Sequence, residues 1–558
     1  MALLSKRTVP CRYTLMTDRG AQALRVSEEL GMLMNRRMSA LTVTVSLVAL
    51  LAGRAALAED ALKTSGQIEE VTVVGEKRET RLQKAPLAIT TLSADEILKS
   101  NVNQLSDING LVPGLSVTKN EGSERVVSIR GIGFETAQNP NSQAGVAFHI
   151  DGVYISHVMS LNQDLLDVER VEVLRGPQGT VFGQASTGGA INVISKAPKL
   201  GQFSGKVEGS FGNYDYVKGL VSVNVPVGDT VAFRATVQRF EHSGYAEATK
   251  VNGGNYGLDN ANTWGRRLAF LWKPNDDFTA TFSAQAFDSH NHGAAQKNIY
   301  DSDPDPRRIS QDYPSTFSLQ SHLYNLTFEQ KLSGMKLKSV TAFQDMRKNQ
   351  TVDNDRLDYA DTGYYDIHVK WRDNSRTVSQ ELSLTSDSTG PLEWVAGLFY
   401  LNQHARQDIL EFAGTDASPD LSIPDTYPVI YPYNLSYQTD TPFQHEAFAQ
   451  YVQGTYALRS DLRLTAGARH SAYTTSAQPV NYYNLYGATQ PRNVKGDNVT
   501  GKVGIEWDVA ASHLLYSTIS RGFKPKGVNF NTEGMLNTGQ FEEETVNALE
   551  IGSKNSFW

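Results

Sequence analysis

From Phe203 onward the sequence is a succession of extended segments of roughly ten residues whose polarity alternates, joined by connections of two very different lengths. In Thr230–Phe240, Val231, Phe233, Ala235 and Val237 share one face, and Arg234, Thr236 and Gln238 share the other. Phe278, Ala280, Phe282 and Ala284 likewise oppose Thr279, Thr281, Ser283 and Gln285. A soluble sandwich could alternate in the same way, so the connections have to discriminate. Tight links ("PVGDT", "KPNDD", "KLSGM", "DSTGP", "LRSD", "VAAS") alternate with long loops at 241–263, 288–322, 345–375, 402–443, 473–498 and 521–544. Short turns at one end and long loops at the other are how a transmembrane antiparallel β-barrel is strung. A sandwich has no reason to segregate its loops so strictly. About fourteen strands are predicted, the last being "ETVNALEIGSK".

Upstream the rhythm is different. Between Ile68 and Pro198 the pattern is mixed, as in a small α+β domain. "SADEILK" carries a capping box, Ser93 with Glu96, that predicts a short helix. "DINGLVPGL" predicts the end of a second helix at Gly110–Pro113. Short strands follow at "VVSIRG", "AFHIDGVYI", "VERVEVL" and "AINVIS". The net charge of −8 gives no basic patch to suit a nucleic acid. The one long apolar run, Ser39–Gly53, is shorter than the about 20 residues a membrane helix needs. With "MNRRM" before it and Ala56-Leu57-Ala58 after it, it reads as a signal peptide beginning at Met34 and cleaved near Ala58. The only cysteine, Cys11, lies upstream of that start, so a mature chain would contain neither disulfides nor Cys-ligated metal.

The glycine-punctuated stretch "LRGPQGTVFGQASTGGAINVISKAPKLG" invites reading as a phosphate cradle. Gly183 and Gly188 have the separation of a P-loop, but Gly189 and Ala190 stand where Lys and Ser/Thr are needed. No Gly-x-Gly-x-x-Gly opens a helix here, and "AINVISK" is extended by composition.

That stretch closely resembles the end of the plug domain of TonB-dependent outer-membrane receptors. "EEVTVVGEKRET", "SIRGIG", "HIDGVYI", "SQELSL", "SRGFKPKGVN" and "ETVNALEIG" match the family in order, over Ile68 to Trp558. The resemblance implies a barrel with an N-terminal α+β plug in its lumen and a ligand captured from outside. It also implies uptake driven by TonB, the inner-membrane energy-transducing partner. It implies a scarce ligand, a ferric siderophore in most of the family, with haem, cobalamin and glycans as alternatives. A passive porin fits poorly, given a plug and a coupling segment. A signalling receptor would need a further domain before that segment, where only Glu59–Ile68 intervene. Partners are then TonB, an iron chelate or similar small ligand, and outer-membrane lipid. The resemblance implies a monomer, and neither cofactor nor enzymatic activity.

Within that frame, Glu70, Val71, Thr72, Val73 and Val74 resemble the TonB box. Their β-branched run prefers extension and could add to the edge of a partner's sheet, or serve as the first plug strand. A place beside an unanchored terminus predicts that the segment is mobile. The resemblance also implies that Arg130 of "IRG" and Arg175 of "LRGP" face carboxylates of the barrel wall. Glu381 and Glu550 are the matching acids, each mid-strand, where an acid facing lipid would be costly. His290 and His292 beside Asp288 suggest a metal pair, but no third ligand cluster accompanies them. Tyrosines in "DTYPVIYPYNLSYQ" and "NYYNLYG" suit either an aromatic or sugar-like ligand or an interfacial girdle.

The organisation expected is an upstream extension from a misplaced start (1–33), a signal peptide (34–58), a periplasmic segment with the TonB box (59–80), a plug (81–200) and a partial barrel (201–558). The barrel is expected to be partial because plugged transporters have about 22 strands. The first and last strands, near Gly205–Phe211 and Thr545–Lys554, should then not be laddered to each other. Register places Leu549, Ile551 and Phe557 outside and leaves Trp558 an ordinary residue near a turn.

Overall fold

The computed structural model describes residues 72–73, 75, 77–78, 80–119, 125–133, 143–183, 186–251, 256–358, 366–387, 390–414, 435–478, 480–483, 492–528 and 540–556. The expected extension and signal peptide, along with Glu70, Val71, Val74, Phe557 and Trp558, lie outside these residues. No described helix is long and apolar enough to cross a membrane.

The plug is built on a five-stranded mixed sheet of β1 (Ile89–Ser93), β2 (Val146–Ile150), β3 (Val153–Tyr154), β4 (Val168–Arg175) and β5 (Gly189–Ser195), ordered β1-β4-β5-β2-β3. β5 runs parallel to β2 and antiparallel to β4. Helix α1 (Ala94–Lys99) opens on the expected capping box: the Ser93 hydroxyl accepts from the Glu96 N–H, and the Glu96 carboxylate from the Ser93 N–H. The second expected helix is only a 3₁₀ turn, Leu105–Ile108. Gly110 and Gly114, at φ +80° and +76°, flank Pro113 and leave no room to propagate it.

The wall is one antiparallel path of fourteen strands. In order these are β6 (Ser204–Gly212), β7 (Tyr216–Val227), β8 (Val231–His242), β9 (Ala261–Trp272), β10 (Phe278–Asn291), β11 (Thr316–Leu332) and β12 (Met335–Asp353). They continue with β13 (Asp366–Ser386), β14 (Leu392–Gly414), β15 (Leu435–Arg459), β16 (Leu462–Ala477), β17 (Arg492–Ala510), β18 (His513–Lys524) and β19 (Glu544–Asn555). Each of the six tight links predicted from sequence joins two of these strands. Among the described residues, no ladder joins β6 to β19.

Strand length departs from expectation. β14 and β15 run to 23 and 25 residues, against the roughly 9–11 that a bilayer requires. "NQHARQD" reads as loop because both of its faces are polar, yet its backbone is laddered on both sides, Arg406 to Asn374 and to Pro442. Beyond the lipid the ladder persists after the reason for alternation has gone.

Burial is inverted relative to a soluble protein. On β8, Arg234, Thr236 and Gln238 are buried, while Phe233 and Val237 are 39% and 44% exposed. Apolar side chains outward and polar ones inward suit lipid outside and a polar lumen. The plug covers that polar face and also packs into it: Val127, Ile129, Phe148, Ile150 and Val171 share one apolar cluster with Leu323, Val340 and Ala342 of the wall. The glycine-rich stretch allows this approach. A Cβ on Gly179 would stand 2.6 Å from the Arg521 carbonyl of β18. Gly183, at φ +86°, lies against the Arg469 guanidinium.

Candidate functional site at the junction of plug and wall

The first described residues are already docked. Thr72 and Val73 pair antiparallel with Arg81 and Thr80. Val73 is fully buried among Ala85, Leu87, Ile89 and Leu174. The expectation of an unanchored segment is therefore corrected at these two positions, because the valine side chain finds an apolar slot on the plug. A ladder of two residues is weak by itself, so most of the anchoring lies in that side chain.

Lys77 follows, at φ +57°. Its ammonium forms an ion pair with Glu381 on β13, a contact the sequence did not reveal. The Glu381 carboxylate also accepts the Tyr451 hydroxyl of β15 at 2.6 Å. Lys77 lies 5.4 Å from the Tyr451 ring centroid, and the Arg469 guanidinium 5.5 Å from the same ring. Further anchors come in quick succession: Arg78 to Glu393 at 2.9 Å, Lys84 to Asp508 at 2.9 Å, and Lys554 Nζ to the Leu82 carbonyl at 2.6 Å. Beside Lys77, burial pushes the His149 imidazole down to about 3, so it adds no competing positive charge there.

Of the two plug arginines, Arg130 meets Glu550, with Nη1 2.9 Å from Oε2. Glu550 Oε1 accepts the Tyr516 hydroxyl at 2.9 Å and the Ala88 N–H at 3.2 Å. Arg175 is not brought to either glutamate, and this corrects the expectation for it. Its Nη1 donates to the Pro113 carbonyl at 3.3 Å. The two carboxylates are occupied by Arg130, Tyr516 and Ala88 on one side, and by Lys77 and Tyr451 on the other. Both acids point into the lumen: Glu381 is 9% exposed, and the outward neighbours of Glu550, Leu549 and Ile551, are the exposed ones.

A second set of anchors was missed. Asp167 of the plug takes a two-pronged contact from Arg234, Nε and Nη2 each at 2.6 Å, plus the Thr236 hydroxyl at 2.8 Å. Asp164 accepts Thr263 at 2.6 Å and Gln238 at 3.3 Å. The signal was present, since Arg234, Thr236 and Gln238 already formed one polar face, but their partners lie about 70 residues away in sequence.

At the loop end the plug and β7–β10 enclose a cavity of about 250 Å³, with an open cleft of about 630 Å³ above it. His290 and His292 do not converge on an ion site: His292 stacks on Tyr256 at 4.1 Å and bonds the Gly257 carbonyl at 2.7 Å. Among the described residues, the grouping with a metal-type donor set is Asp312, Asp353 and His368, whose ligand atoms lie within 4.8 Å of one another. Three residues so far apart in sequence leave no spacing motif to find. The tyrosine-rich stretches fall largely outside the described residues.

Comparison with known proteins agrees with this architecture. The family model for the TonB-dependent receptor plug domain matches residues 81–190, and that for the TonB dependent receptor-like β-barrel matches 252–558. The chain is 24% identical over 517 residues to the pesticin receptor of Yersinia pestis, covering 88% of this chain and 69% of that protein. A stretch of 157 residues is 32% identical to the catecholate siderophore receptor Fiu of Escherichia coli, covering 25% of this chain and 20% of Fiu. The solved structure of the ferric yersiniabactin uptake receptor FyuA from Yersinia pestis superposes with a TM-score of 0.72 at 20% identity, over 84% of this chain and 70% of that one. The siderophore receptor PiuA from Acinetobacter baumannii gives 0.69 at 18%, over 88% and 73%.

Proposed function

The chain belongs to the TonB-dependent receptors of the outer membrane, and we propose that it captures a ferric siderophore outside the cell and imports it with energy transduced by TonB. The iron-chelate reading is supported by the relatives named for siderophores, Fiu and PiuA among them. TonB engages the segment Glu70–Val74 as an added strand and exchanges the two-residue ladder at Thr72–Val73 for its own.

One observation carries this reading: the coupling segment leads within three residues to Lys77 on Glu381. Tension applied at Val73 first extracts its side chain, then reaches Lys77, Arg78 and Lys84 in turn, each held to the wall by a carboxylate. An ion pair shielded from water resists small displacements, yet its attraction falls steeply once water enters. The latch is thus firm at rest and releases under a directed pull. Arg130 on Glu550 and Asp167 on Arg234 lie further along the chain and hold the remainder of the plug in register.

The test is Val73→Pro, which removes a main-chain donor that strand addition requires. Energised uptake of a labelled ferric chelate by whole cells should be abolished while equilibrium binding is retained. Equal loss of both would show the segment to be purely structural. Growth of a deletion strain on a panel of iron chelates, haem, cobalamin and glycans identifies the ligand. A passive pore would keep its uptake after removal of residues 69–75.

A further inference from the structure

The cavity of about 250 Å³ and the cleft of about 630 Å³ share two residues, Tyr245 and Asn260. A chain of five rings connects them. Tyr214 meets Tyr245 edge-on at 4.9 Å, Tyr245 stacks on His242 at 4.5 Å, His242 meets Phe240 at 5.5 Å, and Phe240 meets Tyr216 at 5.4 Å. Tyr214 and Tyr245 are 41% and 44% exposed in the cleft, whereas Phe240 is buried at the cavity wall. Rings at this spacing form a continuous apolar track from the outside to the plug.

We propose that this track and the cavity below it bind one uncharged, hydroxyl-bearing six-membered ring of the imported ligand, leaving any iron centre outside in the cleft. The lining supports a neutral guest: beyond the rings it is chiefly amides and hydroxyls, such as Asn101, Gln104 and Ser289, and its two carboxylates, Asp107 and Asp259, face the single guanidinium of Arg125. An anionic chelate would meet net repulsion there, while hydroxyl groups would find donors and acceptors on every side. The volume sets the size, because it lies below the roughly 300–1,000 Å³ of pockets that take a drug-sized molecule. It admits a ring and not a whole siderophore.

Asn103 of the plug lines the cavity at 4% exposure. Its Nδ2 donates to the Tyr216 hydroxyl at 3.1 Å, and that hydroxyl donates to Asn101 Oδ1 at 3.1 Å. Through these contacts the innermost ring of the track is tied to the plug directly after α1, so occupancy of the cavity is felt by the domain that must later move.

The hydroxylated ring belongs either to a sugar or to a phenol that does not hold the metal, and the probes separate the two. Methyl glucopyranoside, phenol and citrate are titrated against the full chain in detergent, with saturation-transfer NMR as readout. At least one neutral ring should bind saturably and citrate should not; whichever ring binds identifies the source. Tyr245→Ala should weaken that binding at least tenfold, and Asn260→Ala several-fold, with unchanged thermal unfolding. Failure of both rings, equal binding of citrate, or undiminished binding in both variants would overturn the proposal. Because it rests on the import reading, the two must fail separately. Energised uptake without ring binding removes the pocket and leaves import standing. Ring binding without energised uptake does the reverse.

Discussion

Lys77, three residues past Val74, reaches across the lumen boundary to Glu381, which lies towards the Ser386 end of the wall strand Asp366–Ser386. The pair is mostly shielded from water, with side chains 20% and 11% exposed. Removing one partner strands the other, which for buried pairs costs about 3–5 kcal/mol, less here because Lys77 keeps some solvent. Lys77→Met and Glu381→Gln should each increase proteolysis of the plug's N-terminal segment and lower resistance to bulky antibiotics. The double variant should recover part of the loss. A strictly additive double variant would show that the two side chains do not act as one latch.

Arg130 and Arg175 each precede a glycine, but Arg130 sits in a turn at φ +54° and Arg175 ends the plug strand β4. Arg130→Ala removes the cation from Glu550, leaving that carboxylate, among the described residues, with hydrogen bonds from Tyr516 and the Ala88 N–H. Arg175→Ala removes a contact of 3.3 Å to a neutral carbonyl. Denaturant titration of the plug should therefore show Arg130→Ala to be the more damaging, by about 1 kcal/mol or more. A larger effect at Arg175 would mean that the register of the plug rests elsewhere.

Much of this architecture was legible in the sequence because alternation is a backbone property. Once Val231, Phe233, Ala235 and Val237 share a face, every strand of the wall follows by the same rule, and so does the division between turns and loops. The capping box at Ser93 and Glu96 was legible for a similar reason, being local. Partner choice was not. Nothing in the chain distinguishes Lys77 from Arg175 as the cation for Glu381, since the choice is made by the path of the plug through the lumen. The docked state of Val73 was hidden too, because one β-branched residue suits an edge strand and an apolar slot equally. Strand ends such as Asn402–Asp408 were misread where polarity stops alternating but pairing does not.

Neighbouring residues on β9 test the direction of the faces. Leu268 is 50% exposed and sits between Ala235 and Ala284. Arg267 is buried in the lumen, where it donates to the Lys196 carbonyl at 3.0 Å and lies 3.5 Å from Asp151. Leu268→Arg should destabilise the wall in lipid vesicles by about 2–4 kcal/mol if it sits near the bilayer midplane. Arg267→Leu should leave the wall intact and loosen the plug. Urea titration in vesicles, with proteolysis of the plug in parallel, separates the two. An equal effect of both on the wall would reverse the assignment of inside and outside.

The loop between β10 and β11 folds around an ammonium group. Lys297 Nζ donates to the carbonyls of Asp303, Asp305 and Arg308 at 2.6, 2.8 and 2.6 Å, and lies 3.6 Å from Asp301 Oδ1. Burial pushes the Asp301 carboxyl up, but the N–H groups of Ser310 and Asp303, the Ser310 hydroxyl and Lys297 outweigh it, so the group lies below its ordinary value. An acid held low in the folded loop stabilises it above the ordinary carboxylate pKa of about 3.9, and that contribution is lost as pH falls through the folded value. The Ser310 amide, bonded to Asp301 Oδ2 at 2.8 Å, should therefore keep its protection from hydrogen exchange at neutral pH and lose it below about pH 4. Lys297→Met removes three charge-assisted bonds and should abolish that protection at every pH, with faster tryptic cleavage after Arg307 and Arg308. Protection unchanged in the variant at pH 7 would show that the backbone turns alone hold the loop, and that the lysine only fills the space they leave.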